Sequence, residues 1–382
     1  MRKQVKVAVD LHAGRGHACV WTCDFTAEYI SLTRATAPSP RPQGAILHLI
    51  RVKVQSKKRL ATSRLQLPRQ SSSQLRLPEI SNHAIETELS VQGGTVELTN
   101  LQKIFWPDLH LIKRDLLQYY VNISPWLLPH LQNRAMIMKR YPNGIDGGFF
   151  FMKRTPASRP SFISTCAIEH ASGNVIDFPL IQNLASLLWV VNLGCIDLNP
   201  WYGRCDDVYR PDFLHFDLDP VKKAPFERVL ETALLVRDAL SKLKITSYAK
   251  TTGSRGIHVY VPIVRGAVQK EVWTFAKAFS MELAARNPKV VTAEYRIAKR
   301  PAGHVLVDYN QNAWNRTLAS VYSVRPKPGA TVSAPVTWQE VEHGVRIEDF
   351  TVKNVPQRLA KIGDLWKPLL SNRGRFDLQR IL

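Results

Sequence analysis

The chain has 382 residues, which is enough for two or three structural units and a sizeable hydrophobic core. Its 52 lysine and arginine residues outnumber its 31 aspartate and glutamate residues, so the formal net charge is +21. Such an excess argues against an ordinary metabolic enzyme and indicates a polyanionic partner; nucleic acid fits better than an anionic membrane surface. Five cysteines argue against a disulfide-stapled secreted protein and favour a reducing compartment.

The chain divides into three regions by composition. Residues 1–94 are rich in Arg, Lys, Ser, Gln and Pro and predict a mostly disordered basic arm, whose His17, Cys19 and Cys23 are too few for a zinc site. Residues 95–370 have the patterning of one packed domain, and residues 371–382 predict a loose tail. No uninterrupted apolar run is long enough to span a bilayer, so we expect no membrane segment and a cytoplasmic location.

The predicted elements of the packed region mix helices and strands, which indicates an α+β or α/β domain. Apolar residues at helical spacing predict helices, and short β-branched runs predict strands. In chain order we predict a helix over 115–131, a buried helix running into a strand over 180–198, a strand over 213–218, a helix over 225–243, strands over 257–264 and 305–308, and a short helix over 338–345.

Two carboxylates follow the apolar strand that begins at Phe213. Side chains alternate along a strand, so Asp217 and Asp219 lie on one face, and Pro220 ends the strand after them. Paired carboxylates repel each other unless a cation lies between them, and hard oxygen ligands suit Mg²⁺ or Mn²⁺. The pair alone is common at exposed strand ends. A third acid, Asp308, ends the 305–308 strand and would complete a two-metal site if the strands are neighbours.

A glycine-containing loop lies between these acids in the chain. Gly253 and Gly256 allow the backbone to approach a ligand, while Thr252 and Arg255 can contact phosphate oxygens. His258, at the start of the next strand, could reach the same phosphate. Each feature also has a plain structural explanation, namely a turn and a buried core histidine. The order of acid pair, loop and third acid is more specific than any one part.

Several segments together resemble the polymerase domain of bacterial ligase D, a member of the archaeo-eukaryotic primase superfamily. The resemblance extends from about residue 96 to residue 365. The segments that carry it are DLDP (217–220), TTGSRGIH (251–258), VDYNQN (307–312), LTNLQKIFWPD (98–108), MKRYPNGIDG (138–147) and VYSVRPKPGATVSAPVTW (321–338).

The resemblance implies a primase-polymerase fold, α+β, in which an α/β module packs on a mainly antiparallel catalytic palm sheet. It implies template-directed, metal-dependent transfer of NTP or dNTP to DNA 3′ ends during non-homologous end joining and gap filling, with Mn²⁺ or Mg²⁺ at a two-metal site. Implied partners are DNA ends with a 5′-phosphate, a Ku-like end binder and a separate DNA ligase, since the chain has no Lys-x-Asp-Gly ligase motif. We expect a monomer in the bacterial cytoplasm, associated with the nucleoid.

The resemblance also assigns roles to individual residues. The implied metal ligands are Asp217, Asp219 and Asp308. The implied nucleotide contacts are Thr252, Arg255, His258, Arg325 and Asn199. The implied DNA contacts are Lys103 and Lys113 at the 5′-phosphate, Phe149 and Phe150 stacking on template bases, and the basic residues Lys139 and Lys153.

One departure from the family affects the functional prediction. The family has His before Pro-Trp, near the nucleotide sugar and phosphates, whereas this chain has Asn199, which forms hydrogen bonds but carries no charge. Nucleotide affinity and ribose preference are therefore open. A catalytically weak DNA-end binding protein and a primase remain alternatives, and a phosphatase or nuclease with three carboxylates is a more distant one.

Overall fold

The computed structural model of the protein describes residues 77–170 and 173–381. Most of the predicted basic arm, including His17, Cys19 and Cys23, lies outside the described residues. Within them, no helix is both long enough and apolar enough to cross a membrane.

The described residues form strands and helices throughout. The strands are β1 (Thr87–Val91), β2 (Gly94–Leu98), β3 (Ile104–Trp106), β4 (Leu111–Ile112), β5 (Met136–Arg140), β6 (Phe150–Met152), β7 (Thr165–Glu169), β8 (Val175–Pro179), β9 (Cys195–Pro200), β10 (Phe213–Pro220), β11 (Tyr248–Thr251), β12 (Ile257–Pro262), β13 (Val291–Thr292), β14 (Val305–Asp308) and β15 (Pro335–Val336). The helices are α1 (Lys113–Leu131), α2 (Leu184–Asn192), α3 (Phe226–Lys242), α4 (Gln269–Arg286), α5 (Trp338–Glu342) and α6 (Val355–Ile362).

The largest sheet has six strands in the order β13-β14-β10-β12-β11-β15. Every pair in it is antiparallel except β13 with β14. Helices α3 and α4 pack against β10, and α3 also contacts β12. Their apolar sides cover alternate residues of the sheet, such as the fully buried Leu214, Phe216 and Leu218 of β10. The α+β fold with a mainly antiparallel main sheet is therefore confirmed.

A second group of elements precedes this sheet in the chain. The three-stranded sheet β6-β5-β9 lies with helices α1 and α2, and the core is continuous between the two groups. Tyrosines of α1 join them: Tyr119 Oη donates a hydrogen bond to the carbonyl of Tyr322 (2.8 Å), and Tyr120 Oη donates to that of Ile196 (2.6 Å). The predicted buried helix and strand over 180–198 correspond to α2 and β9.

The packed region extends beyond both boundaries that the sequence indicated. Before residue 95, β1 pairs with β2 and the Ile80 side chain is 1% exposed. After residue 370, the Phe376 amide donates to the carbonyl of Pro262 (2.9 Å) and Leu378 is buried. Before residue 95 a local hairpin holds the chain, and after residue 370 a long-range backbone hydrogen bond to the end of β12 does so.

The structure contains a disulfide bond that the number of cysteines did not predict. Cys166 of β7 and Cys205, in the loop after β9, form a disulfide with a Cα–Cα distance of 5.9 Å, and Cys195 is a buried free thiol. The two partners lie 39 residues apart. The disulfide ties the β7–β8 hairpin to the loop that leads into β10.

Candidate active site and nucleic-acid interface

Asp217 occupies the centre of the main sheet, between two other candidate site residues. Its Cα lies opposite that of Asp308 on β14 and opposite that of His258 on β12. Asp219 follows on the same face of β10, opposite Leu306. Directly opposed residues on antiparallel strands have Cα atoms about 4.5–5.5 Å apart. The sheet order, rather than any loop, therefore brings Asp217, Asp219 and Asp308 together.

The charges of these carboxylates are poorly compensated. Burial, with the Asp308 charge adding to it, raises the pKa of Asp217 to about 7. The Asp217 charge, followed by burial, raises the pKa of Asp219 to about 7. The buried Oδ1 of Asp217 accepts no hydrogen bond within the described residues, although the Nε2 of His258 lies 3.2 Å away. A cation in this position would offset both the repulsion and the desolvation.

The third carboxylate is held in place by the turn that follows it. Asp308 Oδ1 accepts a hydrogen bond from the Asn310 amide (2.8 Å), and its Oδ2 accepts one from Gln311 Nε2 (3.2 Å). Among the described residues, no three acidic, histidine or cysteine side chains stand close enough to cage a metal ion by themselves. Mg²⁺ normally keeps several waters and binds substrate phosphates through one or two carboxylates. The residues present fit such an open site.

The glycine-containing loop is shaped by its own threonine. Thr252 Oγ1 accepts hydrogen bonds from the amides of Ser254 (3.1 Å), Arg255 (3.2 Å) and Gly256 (3.1 Å). The sequence analysis predicted that Thr252 contacts phosphate oxygens, whereas here its hydroxyl oxygen accepts hydrogen bonds from the loop amides. Gly253 has φ +63°, and a Cβ on Gly256 would collide with the Leu218 carbonyl beside the acid pair. The loop therefore lies against β10, and Arg255 is the exposed cationic side chain of the loop.

Arg325 holds the glycine-containing loop through the Thr252 carbonyl. Its Nη1 donates to the carbonyl of Thr252 (2.6 Å), and its Nε lies 4.0 Å from Asp197 Oδ2. Asp197 is 2% exposed, and burial raises its pKa against the opposing effect of Arg325. Asn199, two residues along β9, donates from Nδ2 to the Asp197 carbonyl (3.1 Å). Arg325 and Asn199 therefore lie around one buried carboxylate, which sequence reasoning missed.

A buried lysine contacts His258 and was also missed. Lys250 of β11 is fully buried, and its Nζ lies 2.7 Å from His258 Nδ1. The same Nζ donates to the Ala319 carbonyl (3.0 Å) and to Ser333 Oγ (2.5 Å). Its position at the start of the loop motif was the available signal, but a lysine in a short strand normally predicts an exposed side chain.

Phe149, just before β6, and Phe151 within it flank a lysine of the neighbouring strand β5. Phe149 and Phe151 place their rings 4.1 and 5.9 Å from Lys139 Nζ. Phe150 points to the other face of β6, with the Arg140 guanidinium 5.2 Å from its ring. The predicted pair Phe149 and Phe150 is therefore divided between two faces, and Phe151 joins Phe149.

These three phenylalanines remain largely exposed, which suits stacking on unpaired bases. The alternation of side chains along β6 could have identified Phe151 from the sequence. Lys153 directly follows this strand and is half-buried.

Three cationic side chains meet near the start of α1. The exposed Lys103 donates from Nζ to Asn143 Oδ1 (2.7 Å), and the buried Lys113 donates to the Thr99 carbonyl (2.6 Å). Burial, with contributions from Lys103 and Arg140, lowers the pKa of Lys113 to about 8. A bound anion would relieve this repulsion. Arg140 was not predicted to take part in this cluster.

Comparison with known proteins agrees with these features. Residues 112–366 match the family model of the LigD primase-polymerase domain. The chain is 32% identical over 276 residues to the "Multifunctional non-homologous end joining protein LigD" of Mycolicibacterium smegmatis, covering 72% of this chain and 36% of that protein. It is 30% identical to the protein of the same name from Pseudomonas aeruginosa, covering 74% of this chain and 34% of that protein. The chain thus spans about a third of the length of these relatives.

A solved structure shows the same fold. The polymerase domain of Mycobacterium tuberculosis ligase D, in complex with DNA, matches with a TM-score of 0.68 and 29% sequence identity. The match covers 72% of this chain and 98% of the other. The family model covers well over half of the chain, in the part that carries the three carboxylates, the glycine-containing loop and Arg325. The chain therefore belongs to the LigD primase-polymerase domain family.

Proposed function

We propose that the protein is a metal-dependent nucleotidyltransferase that adds nucleotides to DNA 3′ ends during non-homologous end joining. The observation that carries this proposal is the placement of Asp217 directly between Asp308 and His258 in the main sheet, with Asp219 on the same face. Family membership supports the reaction class. The strongly positive chain suits a DNA substrate.

The residues divide into three roles in this reaction. Asp217, Asp219 and Asp308 would hold Mg²⁺ or Mn²⁺, which supplies neutralisation of phosphate charge and activation of the 3′-hydroxyl. Arg255 contacts the triphosphate of an incoming NTP or dNTP, because its guanidinium is exposed beside the acids and can bind phosphate in a bidentate manner. Arg325 positions the loop through the Thr252 carbonyl.

The DNA-binding residues lie on the β5–β6 side of the molecule. Lys103 and Lys113 receive a 5′-phosphate, since both are held close together and their mutual repulsion favours an anion. Phe149 and Phe151 offer ring faces to template bases beside Lys139.

A Ku-like end binder and a DNA ligase are the partners proposed from the family, and the bacterial cytoplasm is the proposed location. Template-directed synthesis is proposed on the same basis.

Extension of a gapped DNA duplex tests this function. The assay uses Mn²⁺, ribo- and deoxynucleotides, and downstream strands with or without a 5′-phosphate. Asp308→Asn keeps the shape of the side chain and should lower the extension rate about 100- to 1000-fold while DNA binding persists. Glu348→Gln, a charge-matched change at an exposed position near α6, is the control and should extend normally. Normal extension by Asp308→Asn would contradict the assignment.

One observation favours a second candidate, a catalytically weak DNA-end binding protein of the same fold. The side-chain amide of Asn199 donates a hydrogen bond to the Asp197 carbonyl. This side chain is uncharged, so it cannot form an ion pair with a nucleotide phosphate. Such a protein would bind gapped DNA through Lys103 and Lys113 but would add no nucleotide in the presence of Mg²⁺ or Mn²⁺. Stimulation of nucleotide addition by the 5′-phosphate would decide for the polymerase.

A further inference from the structure

A groove lined by three aromatic residues opens beside the first turns of α4, outside the contacts assigned so far. Its volume is about 800 Å³, within the usual range for ligand pockets. Tyr209, Trp273 and Trp314 line it, together with Arg210, Lys270 and His170. We name this surface the aromatic groove. The DNA-binding residues proposed above belong to other elements, so it forms a separate surface.

The aromatic rings of the groove are pre-arranged. The rings of Tyr209 and Trp314 stack with centroids 4.9 Å apart and an interplanar angle of 6°. Trp201 packs edge-on against Trp314 at 5.0 Å and is itself buried, so the stack rests on the core. The outer ring, Tyr209, is 54% exposed. A flat ring held in place with one face exposed can stack on a nucleobase at little entropic cost.

Cationic side chains at the rim of the groove can contact phosphates. Lys270 and Arg210 are exposed at its rim, although Arg210 also pairs with Asp207 (2.8 Å) and Glu169 contributes one negative charge. His170 is 6% exposed, and its Nε2 has no hydrogen-bond partner among the described residues. Aromatic faces combined with cations are the composition of surfaces that bind single-stranded nucleic acid without base preference.

Hydrogen bonds connect the groove to the catalytic carboxylate. Trp273 Nε1 donates to Asn310 Oδ1 (3.1 Å), and the Asn310 amide donates to Asp308 Oδ1 (2.8 Å). Gln269 Nε2 donates to the Ala313 carbonyl (3.0 Å), one residue before Trp314. The segment from Asp308 to Trp314 therefore contributes Ala313 and Trp314 to the groove wall and positions the acid through the Asn310 amide.

We propose that the aromatic groove binds the unpaired 3′-terminal nucleotides of a DNA strand by base stacking on Tyr209, with the phosphates near Lys270 and Arg210. The direction of this strand, with its 3′ end toward Asp308, rests on the proposed function. The binding of a single strand to the groove does not, because it follows from the rings and charges of the groove itself.

Fluorescence anisotropy with a 5′-fluorescein-labelled oligo(dT) of about 12 nucleotides tests the proposal. EDTA removes catalysis, and the 5′ label leaves no 5′-phosphate for Lys103 and Lys113. Tyr209→Ala should weaken binding about tenfold, a typical loss for one stacked base. Tyr209→Phe, which keeps the ring, should bind like the wild type. The control Met281→Ala changes another exposed side chain, on α4, and should have no effect.

Two further probes separate stacking from general charge attraction. An abasic oligonucleotide of the same length should bind equally to wild type and Tyr209→Ala, and so should a blunt duplex. The proposal is overturned if Tyr209→Ala binds oligo(dT) like the wild type, if Tyr209→Phe loses affinity equally, or if the abasic strand or the duplex shows the same loss. Gap extension by the wild type is measured separately, so a failure of the proposed function does not affect this comparison.

Discussion

The Nζ atom of Lys250 lies 2.7 Å from Nδ1 of His258, and the opposite nitrogen of that ring, Nε2, lies 3.2 Å from Asp217 Oδ1. Burial lowers the pKa of Lys250 well below its usual value. In its charged form the ammonium group only donates hydrogen bonds, so it leaves the proton of a neutral His258 on Nε2, facing the acid. Lys250 thus orients a ring that lies between the glycine-containing loop and the three carboxylates of the proposed metal site. We expect it to act as a positioning residue, since its buried Nζ contacts His258, Ala319 and Ser333.

Replacement of Lys250 should therefore impair nucleotide use more than DNA binding. Lys250→Met keeps the aliphatic volume but removes the donor, so the His258 ring can adopt its other tautomer. We expect kcat/KM for the nucleotide to fall about 10- to 100-fold, as for other residues that orient ligands indirectly. Steady-state extension with varied nucleotide concentration measures this fall, and anisotropy measures DNA affinity. Equal losses in both would indicate a structural role only. Lys242→Met, at the exposed end of α3, is the matched control.

The raised pKa values of Asp217 and Asp219 predict opposite effects of pH on the metal-free and metal-bound protein. A carboxyl with a pKa of about 7 in the folded chain and a usual value near 3.8 in the unfolded chain binds its proton more tightly when folded. Its contribution to stability is therefore full below about pH 4 and is lost as pH rises through 7. With EDTA, the melting temperature should fall over this window.

Mn²⁺ should reverse this trend, because protons and metal compete for the same oxygens. The stabilisation by Mn²⁺ should be larger at pH 8 than at pH 6. Asp217→Asn removes one titrating group, so the difference in melting temperature between the variant and the wild type isolates these acids from others that titrate elsewhere. A difference that stays constant between pH 5 and 8 would contradict the pKa assignment.

The acid pair and its strand could be predicted because the information is local. Alternation along β10 places Asp217 and Asp219 on one face whatever the rest of the chain does. The neighbours of Asp217 could not be predicted in the same way. Both His258 and Asp308 lie opposite it only because β12 and β14 flank β10, and strand order depends on the packing of the whole domain.

The other site features that the sequence did not predict also depend on residues far apart in the chain. Lys250 is buried because the Ala319 carbonyl and the Ser333 hydroxyl, 69 and 83 residues away, accept its hydrogen bonds. Tyr209 and Trp314 form a stack from two separate loops. Periodicity describes which face of an element is apolar, but it does not identify the partner of a polar side chain.

The cluster at Lys113 predicts that recognition of a 5′-phosphate depends on pH. A lysine with a pKa of about 8 loses its charge as pH rises from 7 to 9, whereas an exposed lysine stays protonated in this range. The preference for phosphorylated over unphosphorylated gaps should therefore decline over this interval. Bound phosphate favours the charged form and shifts the decline to higher pH.

Lys113→Met should abolish this pH dependence and weaken binding of the phosphorylated gap about tenfold, a loss typical of one charge-assisted contact. Binding of the unphosphorylated gap should change little. Lys361→Met, an exposed lysine on α6, controls for the loss of one positive charge. A uniform weakening on both substrates would show that Lys113 contributes only general attraction for DNA.

Asn199 predicts a gain of function by substitution. Asn199 is half-buried on β9, and its side chain binds the carbonyl of the same strand instead of facing a substrate with a charge. Histidine, the residue that the family has at this position, can carry a positive charge near neutral pH. Because Arg325 and the buried Asp197 lie beside it, a protonated imidazole would be offset by the carboxylate and could reach a phosphate or ribose oxygen.

Asn199→His should therefore lower KM for nucleotides about tenfold with little change in kcat, because a ground-state contact is gained. The effect should be greater at pH 6 than at pH 8, since only the imidazolium attracts phosphate. Parallel assays with ribo- and deoxynucleotides show whether the gain depends on the 2′-hydroxyl. Asn199→Gln, which cannot become charged, is the control. Improvement by both variants alike would assign the effect to side-chain length, and improvement by neither would place the nucleotide away from β9.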